Sequence, residues 1–273
     1  MKITDTHVHL YHSDESTYPM KPEPLRPPSG TGTIMHLHRE MRRNGVNRAV
    51  FVQTGSAYGF DNKLLLDSLA ESKEWAVGVC RLDPSDPGSP GLLEQYVTKH
   101  PIRGLRMEPV GELYPMFYNP GATRMWESAR RFNILICAHL PSNLLRQLAD
   151  LLARFPTVQV VLDHAGYASA DDPTSVDTVL ELSRFQNLFL KLSHVVSGTS
   201  QGYPFVDMHE GIRKMIQAFG ADRCMWGSNF PCEHWLKKAT YAEHLDVFRK
   251  EIGLSEAEQQ ALFVETPERV WFS

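Results

Sequence analysis

Cysteine is scarce in this chain: four residues among 273, at Cys80, Cys137, Cys224 and Cys232. Their spacing fits no zinc-finger or ribbon pattern. Three of them sit inside apolar strand-like runs, which reads as buried free thiols rather than a disulfide framework. Long apolar runs are missing too, so no stretch is suited to crossing a bilayer. The polar opening strand is unlike a secretory leader. Nor is there an excess of positive charge. With 28 Lys+Arg against 32 Asp+Glu, the formal net charge is −4, which leaves nucleic-acid binding without electrostatic support. These absences make a reducing cytoplasm the expected setting, with neither nucleic acid nor membrane as a partner.

What is present begins at the first residues. Ile3-Thr4-Asp5-Thr6-His7-Val8-His9-Leu10 reads as a short strand carrying two histidines one residue apart. Alternate strand residues share a face, so His7 and His9 point the same way from the strand's carboxyl end. There, two imidazoles can grip one ion or one substrate. A second His-x-His, His36 and His38, lies in a stretch that reads as helix (Ile34 to Arg43), where residues two apart do not face each other. A long Pro-rich connection, Tyr11 to Gly32, starts where the first histidine pair ends. Loops of that length inside a compact domain are usually functional or disordered, and this one is expected to be a flap over a site.

Beyond the flap the sequence alternates. Apolar runs at 49–53, 76–82, 102–108, 134–139, 158–164, 188–193 and 224–229 follow helical patterns at 34–44, 62–72, 91–99, 123–131, 143–154, 178–183 and 208–219. Two further helical segments, 241–252 and 256–264, end the chain. Near-continuous apolar strands are what a parallel sheet buried on both faces requires. Eight βα units in a chain of this length, with no linker and no change of composition, predict a single (β/α)₈ TIM barrel over residues 1–273, with 11–32 as the flap over its carboxyl-end mouth. A doubly wound open sheet would want a Gly-rich first turn, and the turn here carries histidines instead.

The active site of such a barrel sits at the carboxyl ends of its strands, and polar residues collect there. In order they are His7 and His9; Gln53; Arg81 and Asp83; Arg106 and Glu108; His139; Asp163 and His164; Lys191, Ser193 and His194; Ser228 and Asn229. Any one of them alone could be a structural ion pair or a lysine snorkelling from the core. Their convergence on one rim points to a catalytic pocket.

Several of these stretches resemble the amidohydrolase superfamily: Asp5-Thr6-His7-Val8-His9, the Asp61-Asn62 pair, Gly104-Leu105-Arg106, Asp163-His164-Ala165-Gly166, Lys191-Leu192-Ser193 and Trp226-Gly227-Ser228-Asn229-Phe230-Pro231. The chain is most similar to its second amidohydrolase family, in the branch that hydrolyses pyrone dicarboxylates, muconolactones and sugar-acid lactones. The resemblance runs from the first strand to the last helix and implies an eight-stranded barrel with hydrolase activity. It also exposes a departure. Where the superfamily usually ends its eighth strand in an aspartate that binds metal and activates water, this chain has Asn229. An amide takes up no proton and is a poor cation ligand, and Glu233, beyond Pro231, is no simple substitute. Three imidazoles, His7, His9 and His139, are still enough for one zinc ion. Similar lactone-processing relatives work without a metal, however, and no essential cofactor is the expectation here.

The expected activity is hydrolysis of the cyclic ester of a small anionic substrate, carboxylated or a sugar acid. In this reading His7 or His9, with Lys191, donates to the developing oxyanion. His164, oriented by Asp163, is one candidate base and His139 the other. Arg106 clamps a substrate carboxylate, and Asn229 orients water or hydroxyls. Gln53, Arg81, Tyr18 and Ser193 complete the expected substrate contacts. Three alternatives use the same barrel: a metal-dependent hydrolase or decarboxylase, a lactone isomerase, and a non-catalytic binding barrel. The sequence leaves room for a homo-oligomer.

Overall fold

Strands built of Val, Ile and Leu on both faces have no side to offer water and must be covered on both. In the computed structural model, which describes residues 1–108, 120–193, 195–235 and 238–273, eight such strands pair in sequence order, all parallel. They are β1 (Ile3–Val8), β2 (Val46–Val52), β3 (Ala76–Arg81), β4 (Ile102–Met107), β5 (Leu135–Ala138), β6 (Val160–Leu162), β7 (Leu188–Leu192) and β8 (Cys224–Trp226). Helices α1 (Ile34–Asn44), α2 (Gly55–Tyr58), α3 (Lys63–Glu71), α4 (Ser89–Lys99), α5 (Pro120–Phe132), α6 (Leu145–Arg154), α7 (Pro173–Glu181) and α8 (Val206–Phe219) connect them. The result is a single (β/α)₈ barrel. No helix among the described residues is long and apolar enough to cross a membrane, and all four cysteines are buried, none of them in a disulfide.

The seam between β1 and β8 is held by side chains as much as by backbone. Thr6 Oγ1 donates to the Trp226 carbonyl at 2.7 Å, and His9 N–H donates to the Phe230 carbonyl at 2.8 Å. The Asp5 carboxylate accepts from Ser228 N–H at 2.8 Å, Ser228 Oγ at 2.6 Å and Tyr241 Oη at 2.9 Å. Burial pushes Asp5 up to about 6 even against those bonds. Gly227 has to be glycine at this seam, because a Cβ there would lie 2.8 Å from that of His7.

Inside the barrel, Val50, Val52, Val77, Val79, Leu135, Cys137, Val161, Phe189 and Met225 form one apolar cluster, which Val270 and Trp271 complete from the amino end. The Trp271 indole N–H points at Met225 Sδ, 3.2 Å away. Plugging one mouth leaves only the other for chemistry, and truncating Trp271 to alanine would cost about 3–5 kcal/mol.

Three features differ from the sequence expectation. The helix expected from 178 begins at Pro173, because proline suits the first helical position and the Asp172 side chain caps it, accepting from Thr174 N–H at 3.1 Å. The terminal runs each change from α to π turns, at Val247–Glu251 and Ala261–Glu265, and a further π turn, Glu268–Phe272, carries Trp271. Most consequential, β6 stops at Leu162 instead of running to 164, and β8 stops at Trp226 instead of 229. After Asp163 the backbone turns left-handed through His164 (φ 58°), Ala165 (φ 49°) and Gly166 (φ 60°), with Tyr167 at φ 56°. That conformation costs about 1–2 kcal/mol for each L residue, and backbone strain of this kind clusters at functional sites.

Candidate active site

At the carboxyl end of the strands lies a cavity of about 450 Å³ lined by His9, Lys21, Gly55, Ser56, Gly59, Phe60, Arg81, Arg106, Glu108, His139, His164, Tyr167 and Asn229. Alternation along β1 brings His7 and His9 to one side, with their Nε2 atoms 3.1 Å apart. The hydrogen bonds around them fix their tautomers. His9 Nδ1 faces the Val52 carbonyl at 3.0 Å, and a carbonyl only accepts, so that nitrogen carries the proton and Nε2 carries the lone pair. His7 answers it with Nε2–H. His7 Nδ1 is then the acceptor, and Lys191 Nζ stands 3.4 Å from it. Burial first, and then the Arg106 charge, lower His9 to about 3, and burial lowers His7 well below its ordinary value. Both rings are neutral at pH 7.

Beneath this pair, Asp163 links the cations. Its Oδ1 is 2.9 Å from Lys191 Nζ, its Oδ2 accepts from Arg106 Nε at 3.1 Å, and His7 Nδ1 is 3.6 Å away. Burial alone would raise this carboxyl, but the Lys191 ammonium first, with the Arg106 guanidinium, holds it well below the usual carboxylate range. Lys191 and Asp163 are fully buried. The expected orientation of His164 by Asp163 takes a different form. His164 Nδ1 lies 3.0 Å from Ser193 Oγ, and Nε2 lies 3.3 Å from Arg106 Nη2. A guanidinium only donates, so the His164 lone pair faces a cation.

A second chain runs along the wall. Glu108 Oε1 lies 2.5 Å from Arg81 Nε, and Glu108 Oε2 is 2.7 Å from His139 Nδ1 and 3.8 Å from Arg106 Nη1. On the far side of the ring, His139 Nε2 is 2.6 Å from Tyr167 Oη. Burial would raise Glu108, but the His139 bond and the Arg106 charge hold it well below its ordinary value. Burial and then Arg106 lower His139. Burial also pushes the Tyr167 phenol up to about 12. The result is an ionised Glu108, a neutral His139 with its proton on Nδ1, and a protonated phenol. Arg81 is spread over the Phe60 ring, 4.3 Å from its centre. The Asn62 amide brackets the backbone of Arg81, accepting from its N–H at 3.0 Å and donating to its carbonyl at 2.8 Å.

Of the residues expected at the site, His9, Arg81, Arg106, His139, His164 and Asn229 line the cavity, while His7, Lys191 and Ser193 lie directly beneath it, fully buried. Two stand apart. Gln53 ties down the loop after α2, donating to the Asp61 carbonyl at 2.6 Å. Tyr18, in the 11–32 segment, turns away from the cavity, with its hydroxyl donating to Asp67 at 3.0 Å and its ring against Lys63. Residues 11–32 close on themselves through Tyr11 N–H to the Gly32 carbonyl (3.0 Å) and strap to α2 through Lys21 N–H to the Ala57 carbonyl (2.8 Å). Lys21 alone of that segment lines the cavity. His194 lies outside the described residues.

Sequence reasoning left Glu108, Lys21, Phe60 and Tyr167 without roles. The spacing of Arg106 and Glu108, two apart on one strand, carries the signal for Glu108. Nothing in the sequence signals Tyr167, whose place depends on the left-handed turn.

A metal's fit can be judged from these donors. His7, Asp163 and His164 bring ligand atoms within 4.8 Å of one another. Each is already answered, however. Asp163 holds Lys191 and Arg106, the His7 and His9 lone pairs are satisfied in sequence, and His164 faces Arg106. His139, the third member of the expected zinc set, has Glu108 and Tyr167 on its two nitrogens. Among the described residues, Lys191, Arg106 and Arg81 stand against only Asp163 and Glu108, so a dication would add to a positive excess in a buried site. As arranged, these side chains do not fit a resident divalent ion.

Comparison with known proteins agrees with the barrel. The family profile described as Amidohydrolase matches residues 4–272, and the chain belongs to the amidohydrolase family. It is 24% identical over 200 residues to the L-fucono-1,5-lactonase of Burkholderia ambifaria, covering 70% of this chain and 67% of that one. It is also 24% identical over 275 residues to the D-galactarolactone isomerase of Agrobacterium fabrum, covering 98% and 90%. Among solved structures, a putative 2-pyrone-4,6-dicarboxylic acid hydrolase from Pseudomonas putida superimposes with a TM-score of 0.84 at 20% identity, over 99% of this chain and 97% of that one. An amidohydrolase from Burkholderia multivorans, solved with bound zinc, does so with a TM-score of 0.79 at 22% identity, over 99% of each.

Proposed function

We propose that this protein hydrolyses the lactone ring of a small anionic substrate, with His139 as general base and no resident metal. The observation that carries the reading is the Glu108–His139 pair in a cation-rich cavity. Glu108 fixes the imidazole as the Nδ1–H tautomer, so its Nε2 lone pair faces the Tyr167 hydroxyl at the cavity wall, and Glu108 stabilises the imidazolium that forms on proton uptake. His164 is the weaker base, because its lone pair already faces the Arg106 guanidinium. Among the described residues, Arg81, Arg106 and Lys21 against the single lining carboxylate of Glu108 favour an anion, and the planar forks of the two arginines suit a carboxylate.

An ester carbonyl is activated enough that a neutral imidazole serves where amide hydrolysis wants a stronger nucleophile. Asn229 lines the cavity as an amide donor fixed in advance for an oxyanion, whereas His9, with its N–H on the Val52 carbonyl and its lone pair taken by His7, donates nothing there, contrary to the sequence expectation. His7 and Lys191, fully buried, act from below by holding His9 and Asp163 in place rather than by touching substrate. The lactonase name of one relative supports the hydrolytic reading, and Asn229, in place of the family's aspartate, counts against a metal-dependent decarboxylase.

The test is a panel of carboxylated and sugar-acid lactones at neutral pH, followed by acid release before and after chelation. Turnover that survives chelation in metal-free protein is the expected result, and turnover that depends on added zinc would overturn the metal-free mechanism. An isomerase is the second reading, favoured by the near full-length match to the galactarolactone isomerase. Incorporation of labelled water oxygen into product separates the two, since isomerisation takes up none.

A further inference from the structure

A neutral imidazole has one lone pair, and that of His139 is already engaged: Tyr167 Oη stands 2.6 Å from Nε2, while Glu108 holds Nδ1 at 2.7 Å. Direct uptake of a proton by His139 would require this short bond to break. Passage through the phenol would not. Tyr167 also lines the cavity and is brought there by the strained turn, four consecutive residues at positive φ from His164 to Tyr167. Its ring packs 5.2 Å from that of His164 and 5.6 Å from that of His139. A tyrosine needed only for packing has no reason to be held in a left-handed backbone with its hydroxyl between a base and a substrate cavity.

We infer that Tyr167 is a catalytic residue that carries the proton between the reacting oxygen and His139, the last member of a Glu108–His139–Tyr167 relay. This inference rests on the lactone-opening reading above. As water attacks, its oxygen bonds to the acyl carbon, and the proton it sheds goes to Tyr167 Oη. The phenol's own proton passes to His139 Nε2, giving an imidazolium beside the Glu108 carboxylate. Collapse of the tetrahedral intermediate breaks the ring C–O bond, and the electron pair leaves on the ring oxygen as an alkoxide. That alkoxide takes a proton from Tyr167, which regains one from His139. Lactone and water become a hydroxy acid, and the relay ends as it began. The phenol is neutral before and after each transfer, so no free phenolate is formed.

The experiment compares wild type, Tyr167→Phe and Glu108→Gln on the best lactone from the panel, measuring kcat and KM separately and the dependence of kcat on the fraction of D₂O. Tyr167→Phe is expected to lower kcat by about 10²–10⁴-fold with little change in KM. It should also turn a curved D₂O dependence, two protons moving together, into a linear one. Glu108→Gln is expected to lower kcat while leaving the curvature. The ¹⁵N resonance of His139 Nε2 should move in Tyr167→Phe, with Nδ1 unchanged, which reports the hydrogen bond independently of turnover.

A Tyr167→Phe kcat within about threefold of wild type would overturn the relay. So would a fall in kcat with the curvature retained, or a His139 Nε2 resonance that does not move. A wild type that opens none of the lactones overturns the reading beneath the relay instead, so the two failures are distinct.

Discussion

The chain contains His-x-His twice, and the two copies differ in everything but spelling. His7 and His9 lie on β1, where two residues apart means one face, and their Nε2 atoms come to 3.1 Å. His36 and His38 lie on α1, where two residues apart means roughly opposite directions. The ring of His36 meets Phe230 at 4.9 Å, with its Nδ1 accepting from Gly32 N–H at 3.2 Å, and that of His38 meets Trp75 at 4.5 Å. One pair is a joined polar network at the mouth of a cavity; the other is two separate packing contacts on a helix. The lesson is that secondary structure decides whether a spacing means anything.

The comparison can be broken most forcefully at the histidine that the strand pair's cavity recruits. His139→Asn should reduce kcat by about 10²–10⁴-fold if His139 is the base, measured on the lactone panel. A loss below tenfold would return the role to His164. Next is Lys191→Met, which leaves Asp163 buried without its ammonium and His7 without its donor. Breaking a buried pair from one side costs about 3–5 kcal/mol, readable as a lower urea midpoint. An unchanged midpoint would mean that the network under His7 and His9 is held by other contacts.

A subtler effect comes from Glu108, whose folded-state carboxyl lies below its ordinary value of 4.5. Its stabilisation is therefore present above that ordinary value and is lost as pH falls through the lower folded one. Glu108→Gln should flatten that part of the acid limb of the stability curve, and an acid limb of unchanged slope would contradict the pairing with His139. The smallest effect belongs to the helix pair. His36→Ala and His38→Ala should each cost about 1 kcal/mol of ring packing, with turnover essentially that of wild type. A large loss of activity in either would erase the distinction between the two motifs.

The barrel was legible because its signal is repeated. Eight apolar runs, each preceded or followed by a helical pattern, survive errors at individual boundaries. Much of the rim was legible for a related reason: a strand's last residues are its site residues in this architecture, so His9, Arg81, Arg106 and His139 are read off as strand ends. Tyr18 shows where that logic stops, since a residue in a long loop has no periodicity to fix its direction, and it turned outward to Asp67 while Lys21 turned in. Gln53 is a strand-end residue whose amide was claimed by neighbouring carbonyls.

What the sequence determined by itself is the alternation of elements, the parallel order they demand, and which side chains stand at the strand ends, because these follow from local periodicity and from burying apolar faces. Only the tertiary structure decided which of those side chains pair, which lone pairs are left facing the cavity, and that Tyr167 comes to lie beside His139. Those outcomes hang on a left-handed turn after β6 and on distances between strands far apart in the chain, and no local pattern encodes either.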